Sequence, residues 1–174
     1  MKGMRDRLLD NACRNPASGV ALGCRGSLGE GMARTLTTLT VAAVVFRDEQ
    51  GRLLTVRKRG TSRFMLPGGK PESGEDSRTA AAREIGEELG LTIDASELEF
   101  LGAWESPAAN EPGMTVHCSV YAADLVGVPC AAAEIAELRW TAVAGVHDDV
   151  APLLSDHVFP HLTRAAGPRA EDAC

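Results

Sequence analysis

Apolar residues dominate from Leu39 to Phe46, in the stretch LTVAAVVF. Its β-branched, apolar content predicts a buried strand. Asp48-Glu49-Gln50-Gly51 reads as a turn, and Leu53 to Val56 as a second strand, which predicts a hairpin. A basic loop follows, Arg57 to Arg63, and Phe64-Met65-Leu66 leads into a sharp bend at Pro67-Gly68-Gly69. The pattern then changes period. Ala81, Ile85 and Leu89 recur every four residues, so Ser77 to Leu89 is predicted to be a helix with one apolar face. Asp76 or Ser77 caps its start, three consecutive alanines favour it, and Gly90 stops it. Further strands are predicted near Glu99–Trp104, Thr115–Ala123 and Leu138–Ala142. A last helix is predicted over Val150–Ala165, broken or kinked at Pro160. Strands around one strong central helix, closed by a second, predict a mixed α/β sandwich.

The segment before about Thr35 lacks this patterning. It is rich in Gly, Ser, Asn and Arg, so residues 1–34 are expected to be a flexible leader, 35–166 the folded domain and 167–174 a short tail. Met32 stands just before the first strand, so a chain starting there would lack only the leader. At 174 residues the chain suits one domain with a real core. A net charge of -6 gives no electrostatic support for stable nucleic-acid binding. The five cysteines form no C-x-x-C pair and are odd in number, which argues against a disulfide framework or a zinc ribbon. No apolar run is long enough to span a membrane, and no signal-peptide core is visible near the start, so a cytoplasmic location is expected.

Glu84, Glu87 and Glu88 sit at i, i+3 and i+4 of the predicted helix and share one face. Ordinary helix energetics disfavours them. Glu84 and Glu88 repel at i, i+4, and Glu87 and Glu88 lie at the negative end of the helix dipole. A solvated acidic face is the common meaning of such glutamates. A divalent cation is the other, because hard cations favour oxygen ligands.

The surrounding pattern separates these readings. Gly69, Glu75, Arg83, Glu84, Ile85, Glu87, Glu88, Gly90 and Leu91 fill every specified position of G-x(5)-E-x(7)-R-E-U-x-E-E-x-G-U, where U is bulky and aliphatic. This stretch resembles the Nudix box. Its seven fixed residues would coincide by chance about once in 10⁸ starting points. The resemblance covers roughly Leu36 to Val146 and includes the Leu66-Pro67-Gly68-Gly69-Lys70 approach to the box. It implies a Nudix-type α/β/α sandwich on a mixed sheet, with a loop–helix–loop catalytic motif. It also implies metal-dependent hydrolysis of a diphosphate bond, with Mg²⁺ or Mn²⁺ as cofactor and a small nucleotide as substrate.

By that resemblance Glu84, Glu87, Glu88 and the Gly68 carbonyl are the candidate metal ligands. Arg83 and Glu75 orient the motif. Glu84 is the nearest candidate for the general base, Glu134 the second, and Glu137 is the rival of Glu134. From the basic loop, Arg57 and Arg59 are candidate phosphate contacts, and Lys70 joins them. Phe64, Trp104 and Trp140 could stack on a base, although sparse aromatics more often pack in a core. His157 and His161 have metal-like spacing but no third ligand, so they read as surface residues.

Two substrate classes compete, and the box does not choose between them. One is (d)NTP pyrophosphohydrolysis of the MutT type, the leading reading. The other is hydrolysis of ADP-ribose or a nucleoside diphosphate sugar, for which Pro107, 16 residues after Leu91, is a weak pointer. A non-catalytic nucleotide-binding sensor would be expected to lose the metal glutamates, and all are present. An isomerase acting on isopentenyl diphosphate would depart from the strict box. The sequence leaves the oligomeric state open, a homodimer among the choices.

Overall fold

A computed structural model of the chain describes residues 37–165. The expected leader and tail lie outside them. Strands β1 (Thr38–Val45), β3 (Gly68–Gly69), β4 (Glu99–Pro107) and β5 (Thr115–Ala122) form one sheet, in the order β3-β1-β5-β4. The sheet is mixed: β1 runs parallel to β5 and antiparallel to β3, and β4 is antiparallel to β5. Strands β2 (Leu53–Lys58) and β6 (Ile135–Thr141) form a separate antiparallel pair.

β1 explains its own apolar run. Ala42 and Val44 belong to a buried cluster with Ala80, Ala81, Ile85 and Leu89 of α1 (Ser77–Leu89). Ala43 and Val45 belong to a second buried cluster with Val158, Phe159 and Leu162 from the C-terminal helical segment. A strand covered on both faces has no polar alternation to show. The expected α/β/α layering follows from these two clusters.

Helix α1 begins and ends as expected. The Asp76 side chain accepts from the Thr79 N–H, and Gly90 adopts the left-handed conformation while its N–H donates to the Gly86 carbonyl. Its last carbonyls are met from the β5–β6 loop, where the N–H groups of Ala132 and Cys130 donate to Glu88 and Leu89, each at 2.9 Å.

Three expectations are corrected. The first is the hairpin. The turn forms, with Asp48 N–H on Arg52 O and one bridge between Arg47 and Leu53, but β1 and β2 then part into different sheets. Both edges of β1 are taken by β3 and β5, so β2 pairs with β6 instead. The second is the bend at Gly68-Gly69, which is a two-residue strand paired with Ala43 and Ala42. Gly68 has φ 147°, and a Cβ there would collide with the Ala42 backbone, so only glycine brings this segment against β1. The third is the last helix, where the disturbance precedes Pro160. Leu154–Val158 is a π-helical turn in which Phe159 N–H reaches back to Leu154 O, and α2 (Phe159–Ala165) continues from it. A widened turn relieves the clash between a proline ring and the carbonyl four residues earlier.

The aromatic residues are structural. Phe64 is buried, with the Arg139 guanidinium 3.7 Å from its ring centre. Trp104 and Trp140 are each half-buried against one of the two clusters. His157 and His161 are half-buried rather than free on the surface, and both rings lie against Trp104. The π-helical turn and Pro160 place them over that indole.

Candidate functional site

The site is built where the end of α1 meets β3. The last two turns of the helix present Glu84, Glu87 and Glu88. Glu88 points inward and is fully buried, its Oε2 accepting the Gly68 N–H at 2.9 Å. Burial pushes its carboxyl above the ordinary range, against the opposing pull of Lys58 and the Gly68 N–H. The Glu84 carboxylate lies over Gly69, in the space a Cβ would occupy. Gly69 thus lets the Glu84 carboxylate sit directly on the strand backbone, while Gly68 lets that strand lie against β1.

Arg83 organises the outer side. Its guanidinium donates to both oxygens of Glu75 at 3.1 and 3.0 Å, to Glu84 Oε1 at 3.0 Å and to the Lys70 carbonyl at 3.0 Å. Its bond to Glu75, and then the bond to Glu84, outweigh the opposing effect of burial and leave its charge held more firmly than usual. The same bond, with the Glu72 N–H, keeps the Glu75 carboxyl below its usual range. Glu87 is 55% exposed and turns toward Arg83 at 3.3 Å.

Lys58 forms the opposite wall. The β2–β6 register shifts between Arg57 and Lys58, and such a bulge re-aims the next side chain. The Lys58 ammonium lies 2.7 Å from Glu134 Oε1 and 3.0 Å from Glu88 Oε1. Burial alone would lower it, but the Glu134 bond and the Glu88 charge outweigh that and raise it. The Lys58 bond lowers Glu134 in turn. Glu134 is anchored by its own backbone, since its carbonyl accepts the Arg59 N–H at 2.9 Å.

A cavity of about 420 Å³ opens beside these groups. One end is polar, with Lys58, Lys70, Glu84 and Glu134. Its middle is aliphatic, with Leu39 and Val41 of β1 beside Val116 and Cys118 of β5. The end of β4 at Pro107 and the β4–β5 loop from Ala108 to Glu111 also line it.

The structure therefore gathers Gly68, Lys70, Glu84 and Glu134 around one space, with Glu88 buried behind it on Gly68 and Lys58, whereas Arg83 and Glu87 do not line it. Arg57 and Arg59 do not line it either. Arg57 is engaged elsewhere, bonded to Glu137 at 2.7 Å and to the Thr61 carbonyl at 3.2 Å. Glu137, the rival of Glu134, is thereby spent on Arg57. Lys58 stood in the basic loop but nothing in the loop's composition selected it over its neighbours. Phe64, Trp104 and Trp140 are absent from the cavity wall, whereas Pro107 is on it.

These residues suit a divalent ion. Glu88 Oε1 is buried without a well-aligned hydrogen bond, and the remaining donors are hard oxygens. Among the described residues no three acidic, histidine or cysteine side chains converge into a finished cage. Mg²⁺ commonly completes its shell with water and substrate phosphates.

The model of the NUDIX domain matches residues 36–162. Over 69 residues the chain is 39% identical to a "MutT-like protein" of Streptomyces ambofaciens, covering 40% of this chain and 44% of that protein. Over 87 residues it is 37% identical to a "Putative 8-oxo-dGTP diphosphatase 2" of Mycobacterium tuberculosis, covering 49% of this chain and 58% of that protein. The chain thus spans about half the length of the curated relatives it matches. The crystal structure of a MutT protein from Methanosarcina mazei superposes with a TM-score of 0.64 at 21% identity, covering 77% of this chain and 99% of that one.

Proposed function

Because the chain belongs to the NUDIX domain family, we propose that it hydrolyses a diphosphate bond in a nucleoside diphosphate derivative. A (d)NTP of the MutT type is the leading substrate, cut to a nucleoside monophosphate and pyrophosphate. The observation that carries this reading is the division of the cavity. Its lysines and carboxylates suit a polyphosphate handled with a cation, and its aliphatic middle suits a flat apolar base. The two relatives, the "MutT-like protein" and the "Putative 8-oxo-dGTP diphosphatase 2", point the same way.

Glu84, Glu88 and the Gly68 backbone, with Glu87 at the rim, are the groups that would hold Mg²⁺ or Mn²⁺. Such an ion neutralises phosphate charge and makes a water nucleophilic near neutral pH. Arg83 fixes the Glu84 carboxylate, and an oriented carboxylate holds better than a loose one. Lys58 and Lys70 add positive charge where the phosphates lie. Glu134, which lines the same cavity as Glu84, would take the proton from the attacking water. The Leu39 and Val41 side excludes water from the base.

The test is metal-dependent turnover of purified protein across (d)NTPs, oxidised dNTPs, ADP-ribose, NADH and diadenosine polyphosphates. Glu84→Gln and Glu88→Gln should each lower turnover by about a hundredfold or more. Nucleotide binding without turnover under any metal would replace the enzyme with a binding module. Pro107 on the cavity wall keeps ADP-ribose hydrolysis as the second reading. Preference for ADP-ribose over every triphosphate would select it.

A further inference from the structure

Lys58 joins two carboxylates that the sequence separates widely. Glu88 comes from the helix and is wholly buried, while Glu134 comes from the β5–β6 loop and is half-exposed. Glu88 Oε2 is committed to the Gly68 N–H. Oε1 has no well-aligned hydrogen bond, and among the described residues its one charged partner is the Lys58 ammonium at 3.0 Å. A buried carboxylate without a nearby cation is strongly disfavoured. Lys58 answers that need.

The same oxygen is the one left for a divalent ion, because Oε2 already serves the backbone. Two cations on one buried oxygen repel each other in a medium that screens poorly. Lys58 also has an alternative partner in place, since Glu134 lies at 2.7 Å and lysine has a flexible four-carbon stem.

We propose that Lys58 is a tethered counter-cation of Glu88, which the divalent ion displaces when it binds. The inference rests on the reading of Glu88 as a metal ligand. Two consequences follow. The chain's own lysine weakens ion binding when no nucleotide is present. The displaced ammonium stays beside the polar end of the cavity, so a polyphosphate there favours the displaced arrangement. Ion and nucleotide then strengthen each other's binding, by the same factor in both directions.

The test is calorimetric titration of the metal-free full chain with Mn²⁺, without nucleotide, at about pH 8 so that carboxylates are ionised. Lys58→Gln keeps hydrogen-bonding capacity but removes the competing charge. It should bind Mn²⁺ about tenfold more tightly, the order expected when one opposite charge close to a carboxylate is removed from the metal-free form alone. Lys58→Arg keeps the charge and should stay within about threefold of wild type. Unchanged or weaker binding by Lys58→Gln overturns the proposal. Glu88→Gln separates the two readings. If it loses Mn²⁺ binding while Lys58→Gln changes nothing, only the Lys58 proposal fails. If it binds as wild type does, Glu88 is not a ligand and both fail. In wild-type protein, the Lys58 side-chain ¹⁵N resonance should move on Mg²⁺ addition. An unmoved resonance under saturating Mg²⁺ also overturns the proposal, whatever the variants' folding.

Discussion

The carboxylate of Glu84 fills the space beside Gly69 that any Cβ would need. The obstacle is the far end of a flexible side chain, so Gly69→Ala can be accommodated by moving Glu84 and leaving the fold alone. Turnover should fall by about tenfold or more, as expected when a catalytic group is displaced by an ångström or so, while the melting temperature changes little. Gly68→Ala should do the reverse of sparing the fold. Its Cβ meets the Ala42 backbone at a φ of 147°, with about 1–3 kcal/mol of strain before any collision is counted. Paired melts and assays of the two variants check this, and equal melting losses would contradict it.

Glu75 supplies a pH signature. Its carboxyl is held below the ordinary 4.5 chiefly by the Arg83 bond. A lowered carboxyl contributes stability above its unfolded pKa and loses it as pH falls through the folded value. Glu75→Gln should therefore melt below wild type at neutral pH. The gap should close as pH falls through and below 4.5. Melting curves across that window read the effect, and a gap independent of pH would assign Glu75 a packing role instead.

These two cases also mark what the sequence could reveal. Helix α1 was legible because Asp76, Ala81, Ile85, Leu89 and Gly90 all signal locally and agree. The box residues were legible because their spacing is fixed within that one helix and its leading loop. The partner of β2 was not, since Leu53 to Val56 is buried throughout and an apolar run does not say which strand lies beside it. Nor could the basic loop be resolved into Arg57 on Glu137 and Lys58 on Glu88 and Glu134. That division depends on a register shift between strands some eighty positions apart, and adjacent strand residues face opposite sides. The aliphatic cavity wall was hidden for a similar reason. Leu39 and Val41 read only as strand residues until β5 and the β4–β5 loop enclose them.

That wall gives a prediction about affinity separate from chemistry. Val41 is half-buried on the cavity side of β1. Val41→Trp should occupy the space proposed for the base without touching the box. KM for the best nucleotide should rise about tenfold or more while kcat falls much less, the mark of lost uniform binding. Inorganic or short polyphosphates lacking a base, if turned over at all, should be indifferent to the change. A fall in kcat at unchanged KM would place the base elsewhere.

Glu134 carries the sharpest claim about the reaction. It lines the same cavity as Glu84, on a loop anchored to α1 by the Ala132 N–H and to Arg59 by its own carbonyl. The preceding residue, Ala133, holds a left-handed φ of 47°, an uncommon conformation for a residue with a Cβ, and one that strained functional loops tend to retain. In the metal-free chain the Lys58 bond lowers the Glu134 carboxyl, which keeps it ionised but makes it a weaker base for as long as that bond is held. Glu134→Gln keeps the shape and removes the capacity to accept a proton. It should lower kcat by about 10²–10⁴, the range for a lost general base, with KM near wild type and Mn²⁺ binding weakened only modestly, through loss of the partner that receives Lys58. Glu84→Gln should instead weaken Mn²⁺ binding together with turnover, because its place over Gly69 is beside the ion's ligands. The discriminating measurement is Mn²⁺ titration and steady-state kinetics on both variants. If Glu134→Gln retains full kcat while Glu84→Gln loses kcat with its metal intact, the proton goes to Glu84, and Glu134 serves only as the partner of Lys58.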